Sequence, residues 1–348
     1  MDCPRKTGQA RTMNLVPFVN EHLEAAASLL ALRHRAHRAA LPLLPGEPES
    51  ATEARRLLEA LRQRPRTSGF AALQNGQLIG FALGTLRIDT TWGRSAWLFA
   101  PGHALSPGTS PEVYRDLYAA LAAQWVQEGC FVHAALVPAH DRPALEAWYG
   151  AGFGHEQVHA LRALDPVDLR PDVLDSPLRI HRAGMDDLDR LLEMAGHIFE
   201  HQRAAPVFAP YLPEFSEDWP QDYTELIQGE ADRIWLAEQD GRLLGFAIFS
   251  PAEQTPDDLL TPPNSVTFTV GVTREDVRCR GVGRALFARG VEEARRMGFR
   301  ACVTDWRATN LAASRAWPRM GFSPALYRLS RRIDERVAWA RGARFTHT

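Results

Sequence analysis

A segment near residue 280 combines arginine and glycine as an anion-binding turn would. Residues 278–283 read Arg-Cys-Arg-Gly-Val-Gly, between an alternating β-branched stretch at 265–272 and an amphipathic stretch at 283–298. This order predicts a strand, a turn and a helix. The first amides of a helix have no intrahelical partner, and the helix dipole favours an anion there. Glycine also lets the backbone approach a ligand closely. The segment therefore predicts a phosphate cradle made of backbone amides and arginine.

Lysine is almost absent from the chain, since Lys6 is the only lysine among 40 basic residues. Its absence elsewhere excludes a Schiff-base lysine within either half and a Walker-type Gly-Lys-Ser/Thr loop. A dinucleotide fingerprint would need glycine at position 286, which is Leu286. A phosphate must therefore be held by arginine, backbone amides or a helix end.

Two motifs in the second half carry a family resemblance. Arg278-x-x-Gly281-x-Gly283 resembles the Gln/Arg-x-x-Gly-x-Gly/Ala signature of the GNAT acyltransferase superfamily, between the predicted fourth strand and third helix of that half. Asn310-x-x-Ala313, followed by Gly-Phe at 321–322, resembles a later motif of the same family. The likeness covers the second half in the right order. The tandem arrangement is similar to that of bacterial double-GNAT proteins such as mycothiol synthase.

The resemblance implies an acetyl-CoA-dependent N-acetyltransferase acting on a small amine or an N-terminal amine, with acetyl-CoA as cosubstrate. It implies that loop amides hold the pyrophosphate and that the strand at 265–272 pairs with the pantetheine arm, splaying away from a strand at 301–306. No metal is expected. The cofactor-binding residues that it implies are Val270, Val272, Arg278, Cys279, Arg280, Gly281, Val282, Gly283, Arg284, Asn310 and Trp317.

The catalytic residues depart from the family pattern. Trp317 stands where the family commonly has a tyrosine that protonates the thiolate, and an indole N–H cannot donate a proton at neutral pH. Trp317 would then only line the pocket, and Ser314 is the candidate hydrogen-bond donor. Asp305 is the nearest carboxylate for a general base, although it could equally bond the loop that follows its strand. The alternative function is a non-catalytic acyl-CoA sensor or interaction protein. Weaker candidates, in or beside a Pro-rich lid at 201–215, are Glu200, His201 and Glu214.

The chain contains an internal repeat. Residues 70–84 and 235–249 each read as an apolar strand, an Asn/Asp-Gly turn and a second apolar strand. Residues 141–153 and 310–322 share a spaced Asn/Asp, Ala, Trp and Gly-Phe pattern. The fold class predicted is α/β (α+β), with two tandem GNAT-like domains, each a mixed, mostly antiparallel sheet flanked by helices. The predicted boundaries are a tail at 1–13, a first domain at 14–164, a linker at 165–178, a second domain at 179–333 and a tail at 334–348.

The first copy lacks the cradle. At an offset of 169, the arginine and the two glycines of the motif become Thr109, Glu112 and Tyr114. A carboxylate would repel phosphate and a phenol would crowd it, so the first domain is expected to be catalytically silent. Its histidines include His155 and His159, which lie too far apart on a strand to share one metal as neighbours.

The composition of the chain argues against several other classes of protein. The chain has 348 residues, 45% hydrophobic and 24% charged, with a net charge of −2. A pI near 6.6 gives no global positive field, so no nucleic-acid partner is expected. No apolar run approaches the ~18 residues of a membrane span. The four cysteines lack CxxC spacing, which suits a reducing cytoplasm, and Cys279 and Cys302 are expected to be small apolar fillers. We expect a cytoplasmic monomer or homodimer with a small-molecule amine acceptor and no membrane partner.

Overall fold

The computed structural model describes residues 13–90, 92–165, 177–209, 212, 217–229, 232–255 and 258–342. The same order of elements occurs in each half: a strand, two helices, a hairpin, a strand, a helix, a strand, a helix and a closing strand. In the first half these are β1 Met13–Pro17, α1 Leu23–Ala40, α2 Ala51–Gln63, β2 Thr67–Gln74, β3 Gln77–Asp89, β4 Gly93–Leu98 with the short β5 His103–Leu105, α3 Glu112–Gln127, β6 Val132–Pro138, α4 Arg142–Gly150 and β7 Gly154–Ala163. In the second half they are β8 Arg179–Arg182, α5 Leu188–Arg203, α6 Trp219–Gln228, β9 Arg233–Gln239, β10 Arg242–Pro251, β11 Ser265–Thr273, α7 Val282–Arg296, β12 Ala301–Arg307, α8 Leu311–Arg319 and β13 Ser323–Arg332, followed by α9 Arg336–Gly342.

The two Asn/Asp-Gly turns form the hairpins that the repeat predicts. Asn75 and Gly76 have φ values of 53° and 78°, and Asp240 and Gly241 have 49° and 76°. A two-residue hairpin with positive φ at both central positions has a twist that matches the twist of its strands. The repeat is therefore visible in the backbone as well as in the sequence.

The strands of both halves join in one sheet of the order β1-β2-β3-β4-β6-β13-β7-β12-β11-β10-β9-β8, with β5 paired to β3. The closing strands are exchanged. β13 from the second half pairs with β6 of the first half, and β7 from the first half pairs with β12 of the second half. β7 and β13 also pair with each other, with Val158 opposite Tyr327 near the centre of the register. Each half therefore completes its sheet with a strand from the other.

Helices cover both faces of this sheet. α3 and α4 pack on one face of the first half around Trp125, and α7 and α8 pack on the same side of the second half around Phe287. On the opposite face, α1 and α2 pack around Leu58, and α5 and α6 pack around Phe246. Leu259 of the second half is buried in the α1–α2 core, so the halves share apolar contacts as well as strands.

A strand, β1 or β8, opens each half. Pro318 lies within the last turn of α8, and Gly321, at φ 88°, follows the helix. The segment predicted as a C-terminal tail contains α9. The predicted linker between 166 and 176 and residues 1–12 of the predicted N-terminal tail lie outside the described residues. Within the described ranges, no helix is both long enough and apolar enough to cross a bilayer.

Candidate functional site

A slot opens between β11 and β12. The two strands pair in parallel only where Ser265–Thr267 faces Ala301–Val303. Beyond that point, the hydroxyl of Thr304 donates a hydrogen bond to the carbonyl of Phe268 at 2.9 Å. Thr269 is an extra residue in the ladder between β10 and β11, and such a bulge bends its strand. The remainder of β11 therefore diverges from β12 and leaves its edge free on that side.

The turn after β11 aims backbone amides out of the start of α7. Cys279 and Gly281 have φ values of 63° and 88°, so the backbone reverses twice within three residues. Gly281 is the N-cap of α7, and the first helical hydrogen bond runs from the amide of Ala285 to the carbonyl of Gly281 at 2.9 Å. The amides of Val282 and Gly283 precede that bond and face outward. This is the geometry of an anion cradle at a helix end.

Arginine surrounds the cradle. Arg278, Arg280 and Arg284 are exposed, and Arg278 forms an ion pair with Glu275 at 3.3 Å. Cys279 is exposed as well, so the expectation that it fills apolar space is wrong, because its place in the turn directs it to solvent. Cys302 is fully buried, and burial raises the pKa of its thiol to about 12, as suits a filler.

Trp317 and the strand β11 wall the slot. Val270 and Val272 pair with β10 on the edge away from the slot, and their side chains pack in the α5–α6 core. Trp317 packs edge-on against Phe268, with ring centroids 5.1 Å apart. A Cβ on Gly271 would lie 2.6 Å from the Phe268 ring and 3.1 Å from Trp317. The arrangement of these rings therefore requires glycine at position 271.

The end of α5 meets the start of α8 above the slot. Asn310 is the N-cap of α8, and its side-chain oxygen accepts a hydrogen bond from the amide of Ala313 at 3.2 Å. The same oxygen lies 3.2 Å from Nε2 of His201. Glu200 is exposed beside His201, and Glu214 lies outside the described residues. The structure thus places His201, one of the weaker candidates for the amine-binding site, in contact with Asn310 of the later motif.

The side chains of Asp305 and Ser314 differ in how they are engaged. Asp305 is exposed on β12, directly opposite His159 of the exchanged strand β7. The hydroxyl of Ser314 donates a hydrogen bond to the carbonyl of Ala308 at 3.1 Å, so its proton is already engaged. Of the two, Asp305 has the more available side chain.

The corresponding gap of the first half is filled. His103 lies opposite Ala82 in the strand register, as Gly271 lies opposite Ala247. Nε2 of His103 is 2.9 Å from the carbonyl of Leu136 on β6, so the imidazole crosses from β5 to β6. Burial lowers the pKa of His103 to about 3 and keeps the ring neutral.

Buried side chains hold this plug in place. Arg33 donates hydrogen bonds to the carbonyls of Ala100 and His103, and its Nη1 lies 3.3 Å from Nδ1 of His103. Because arginine can only donate, Nδ1 accepts and Nε2 carries the proton given to Leu136. Tyr114, at the position of Gly283, is buried, with its ring 5.4 Å from His103 and 5.9 Å from Trp148. Comparison of the two internal repeats identified Tyr114, but nothing in the sequence pointed to Arg33 and His103.

One group of side chains has the spacing of a metal site. His181, Asp187 and Glu238 present ligand atoms within 4.8 Å of one another. The guanidinium of Arg190 forms ion pairs with both carboxylates, at 2.5 Å for Glu238. Arg190 thereby supplies the cation that these carboxylates need, and the cluster ties the start of α5 to β9.

Residues 199–322 match the sequence profile of the acetyltransferase (GNAT) family. The second half contains a GNAT acetyltransferase domain. The match covers the slot, the cradle and α8, and GNAT domains use acetyl-CoA as the acyl donor. No curated protein matches the sequence of the chain.

Solved structures show the same fold over most of the chain. A GCN5-related N-acetyltransferase from Sphaerobacter thermophilus is 16% identical with a TM-score of 0.55, over 92% of this chain and 95% of that one. The second, a glucosamine N-acetyltransferase region of a fungal multi-domain GH3 β-N-acetylglucosaminidase, is 14% identical with a TM-score of 0.52, over 92% of this chain. The chain spans only 38% of the length of that fungal protein. At these identities the likeness establishes the fold, which is the two-domain GNAT-like fold expected from the repeat.

Proposed function

We propose that the second half transfers an acetyl group from acetyl-CoA to a small amine or an N-terminal amine, and that the first half performs no transfer. The observation that carries the proposal is the open slot between β11 and β12 joined to the cradle at the start of α7. The first half has the same strands and helix, but His103 and Tyr114 occupy the matching places. One donor site per chain follows. The predicted boundaries, 14–164 and 179–333, belong to this proposal, with the closing strands exchanged between the two units.

The donor residues act through charge and backbone. The amides of Val282 and Gly283, with Arg278, Arg280 and Arg284 around them, bind the pyrophosphate through charge-assisted hydrogen bonds. Val270 and Val272 pair with β10, and the main-chain groups of Gly271 between them lie on the free edge of β11, where they are proposed to bind the pantetheine arm. The same edge presents N–H groups that can stabilise the negative charge developing on the thioester oxygen.

The acceptor side rests on Asp305. In the transfer, the amine nitrogen forms a bond to the thioester carbon, the bond from carbon to sulfur breaks, and the nitrogen loses a proton. Asp305, exposed on β12 beside the slot, is the carboxylate proposed to take that proton. Trp317 lines the slot and is not proposed as an acid. Solvent is proposed to protonate the leaving thiolate, because the Ser314 hydroxyl is bonded to Ala308.

That last observation also favours the second candidate, a non-catalytic acyl-CoA sensor. With Trp317 in place of a tyrosine and the Ser314 hydroxyl bonded to Ala308, neither of these two residues of α8 is free to protonate the thiolate. The two candidates share the donor site and differ in turnover. They are separated by the release of free thiol in the presence of an amine.

The test is a calorimetric titration with acetyl-CoA, followed by a thiol-release assay with a panel of amines. We expect one acetyl-CoA per chain and amine-dependent thiol release. Arg284→Glu should weaken binding at least tenfold, while Arg295→Glu, at the far end of the same helix, provides the matched control with the same change of charge. Binding without amine-dependent thiol release would favour the sensor. Two equivalents per chain would overturn the silent first half, and no binding at all would overturn both candidates.

A further inference from the structure

The two faces of the sheet give the donor and the acceptor separate approaches to the slot. α7 and α8 pack on one face, and the cradle lies at the start of α7, so acetyl-CoA bound as proposed enters the slot from that face. α5 and α6 pack on the other face. Asp305 lies two residues after Val303, on the same side of β12, and Val303 packs in one cluster with Leu44, which follows α1 on that second face. The acceptor side is therefore the face covered by α5.

The transfer needs two proton acceptors for one nitrogen. Alkylamines have pKa values of about 10 and N-terminal amines of about 8, so both are mostly ammonium ions at neutral pH. The ammonium must lose one proton before its nitrogen can attack, and the nitrogen loses a second as the amide forms. Asp305 is proposed for one of these protons. The other requires a second group on the acceptor side, and imidazole is the side chain whose ordinary change of charge falls nearest to neutral pH.

The contact between His201 and Asn310 fixes the tautomer of an imidazole on that side. His201 lies in the last turn of α5, and its Nε2 is 3.2 Å from Oδ1 of Asn310. The same oxygen accepts the amide hydrogen of Ala313, so the acceptor end of the Asn310 amide faces the ring and Nε2 must carry the hydrogen. The neutral ring then has its lone pair on Nδ1, which forms no hydrogen bond with any described residue. His201 thus has a basic nitrogen available.

The charged groups beside His201 are engaged elsewhere. On α5, the carboxylate of the neighbouring Glu200 lies 3.5 Å from Nδ1 of His197. On the other side of the contact, α8 begins with the neutral side chain of Asn310. His201 forms no ion pair with any residue in the described ranges, and its side chain is half-buried. A proton can therefore be taken up at Nδ1 and passed on without first breaking an ion pair among these residues.

The first half has the same contact between helix ends, but there it is buried. His37, in the last turn of α1, stacks on His140 with ring centroids 4.8 Å apart, and His140 precedes Asp141, the N-cap of α4. His37 is only 3% exposed, and burial lowers its pKa to about 3. Such a ring takes up no proton at neutral pH. The half with the filled gap therefore has an inert imidazole at this contact, and the half with the open slot has a half-buried one.

We propose that His201 takes the first proton from the ammonium group of the acceptor, and that Asn310 positions it by fixing its tautomer. A bond from the ammonium nitrogen to hydrogen breaks, a bond from Nδ1 to hydrogen forms, and the proton then passes to solvent. The freed lone pair of the nitrogen attacks the thioester carbon, and Asp305 accepts the second proton as the amide forms. This inference rests on the proposed function, because it assigns a second proton acceptor to the same reaction.

His201→Gln separates proton uptake from packing, because the glutamine amide can still donate a hydrogen bond to Asn310 while its oxygen is not basic. The probe is the amine of the panel that gives the fastest thiol release. We expect kcat/KM for that amine to fall at least tenfold at about pH 7. At about pH 9 the loss should shrink to threefold or less, because much more of the amine is already deprotonated. A loss caused by altered packing would be the same at both pH values.

His197→Gln is the matched control, with the same substitution one turn earlier on α5, where the side chain is 47% exposed. It should behave as the parent does at both pH values. A calorimetric titration with acetyl-CoA checks that His201→Gln is folded and keeps its donor site. His201→Asn, which has the same functional group on a shorter side chain, is the second variant if His201→Gln fails that check, and it should show the same relief at about pH 9.

The outcomes separate this inference from the function on which it rests. Unchanged kcat/KM at about pH 7 in folded His201→Gln, or a loss that persists at about pH 9, would overturn the role of His201 and leave the acetyl transfer standing. If the parent protein binds acetyl-CoA but releases no thiol with any amine, the proposed transfer itself fails, and the role of His201 fails with it.

Discussion

In the first half the imidazole of His103 crosses the gap between β5 and β6, whereas the second half has Gly271 at the matching position. Tyr114 and Gly283 form a second such pair at the start of the following helix. The strands diverge in both halves. Two side-chain differences therefore decide whether the gap is filled.

On the opposite face, two corresponding positions of the exchanged strands differ. A cavity lies beside His159 on β7, whereas Arg328, the corresponding residue of β13, forms an ion pair with Glu156 of the first half and is covered by Trp92. One position thus borders an open space, and side chains fill the space at the other. The comparison teaches that duplication of one fold can yield halves with different open spaces and little change in backbone topology, because the differences lie in the side chains that fill a gap.

The largest expected effect is a loss of stability in acid, caused by buried histidines of the first half. Burial lowers the pKa of His37 and His103 to about 3 and that of His133 to about 4. The unfolded chain binds protons at these sites near pH 6.5, while the folded chain does not. Stability is therefore complete above about pH 6.5 and falls as the pH drops, by about 1.4 kcal/mol per pH unit for each histidine. Together they would cost up to about 8 kcal/mol by about pH 4.5.

Urea unfolding at about pH 7 and about pH 4.5, followed by circular dichroism, measures this loss. The carboxylates with lowered pKa values, such as Asp187 and Glu293, lose their contribution mostly below this window, because their ordinary values lie near 4. His133→Gln removes one of these histidines. It should reduce the pH dependence of the free energy of unfolding by the contribution of that one side chain. An unchanged free energy of unfolding between the two pH values would contradict the prediction.

The next effect tests the donor side of the comparison directly. Gly271→His gives the second half the imidazole that fills the first. Its Cβ alone would lie 2.6 Å from the Phe268 ring, so the rings must move and the side chain must enter the slot. We expect acetyl-CoA affinity to fall at least 1,000-fold, about 4 kcal/mol, in a calorimetric titration.

Gly196→His provides the control for that variant. Gly196 lies on α5, and a Cβ there meets nothing within 4 Å. The control should bind acetyl-CoA as the parent does, and thermal melting of both variants separates a blocked slot from a loss of folding. If folded Gly271→His binds acetyl-CoA normally, the slot is not the donor site.

Local signals in the sequence determined much of this arrangement in advance. The Asn/Asp-Gly turns predict both hairpins because positive φ at two adjacent residues strongly favours these residue types. The cradle was predictable because glycine and arginine stand at a predicted helix start. The resemblance to the family added the role of the free strand edge, which no local pattern contains.

Long-range pairing was not predictable in the same way. Nothing in the sequence of β7 or β13 says which half each will join, since both are ten-residue strands in which polar and apolar side chains are mixed. Arg33 and His103 are 70 residues apart, and an arginine on a helix normally indicates an exposed face. The plug and the strand exchange depend on contacts between distant segments, and only the structure reveals them.

The smallest expected effect concerns the exchange itself. Glu156 on β7 forms ion pairs with Arg307 and Arg328 of the second half, and its side chain is only 17% exposed. Glu156→Gln leaves two guanidinium groups without their carboxylate, and we expect a loss of about 2 kcal/mol in the free energy of unfolding, below the 3–5 kcal/mol of a fully buried pair. Urea unfolding at neutral pH is the measurement.

Glu335→Gln is the control, with the same substitution in an exposed ion pair. Glu335 pairs with Arg332 at 3.2 Å, and both side chains are more than half exposed. That change should cost less than about 0.5 kcal/mol. Two equal and small losses would mean that the exchanged strands are held by backbone pairing and apolar contacts alone. A larger loss in Glu156→Gln would show that the ion pairs of Glu156 with Arg307 and Arg328 fasten the exchanged strand β7 to the second half.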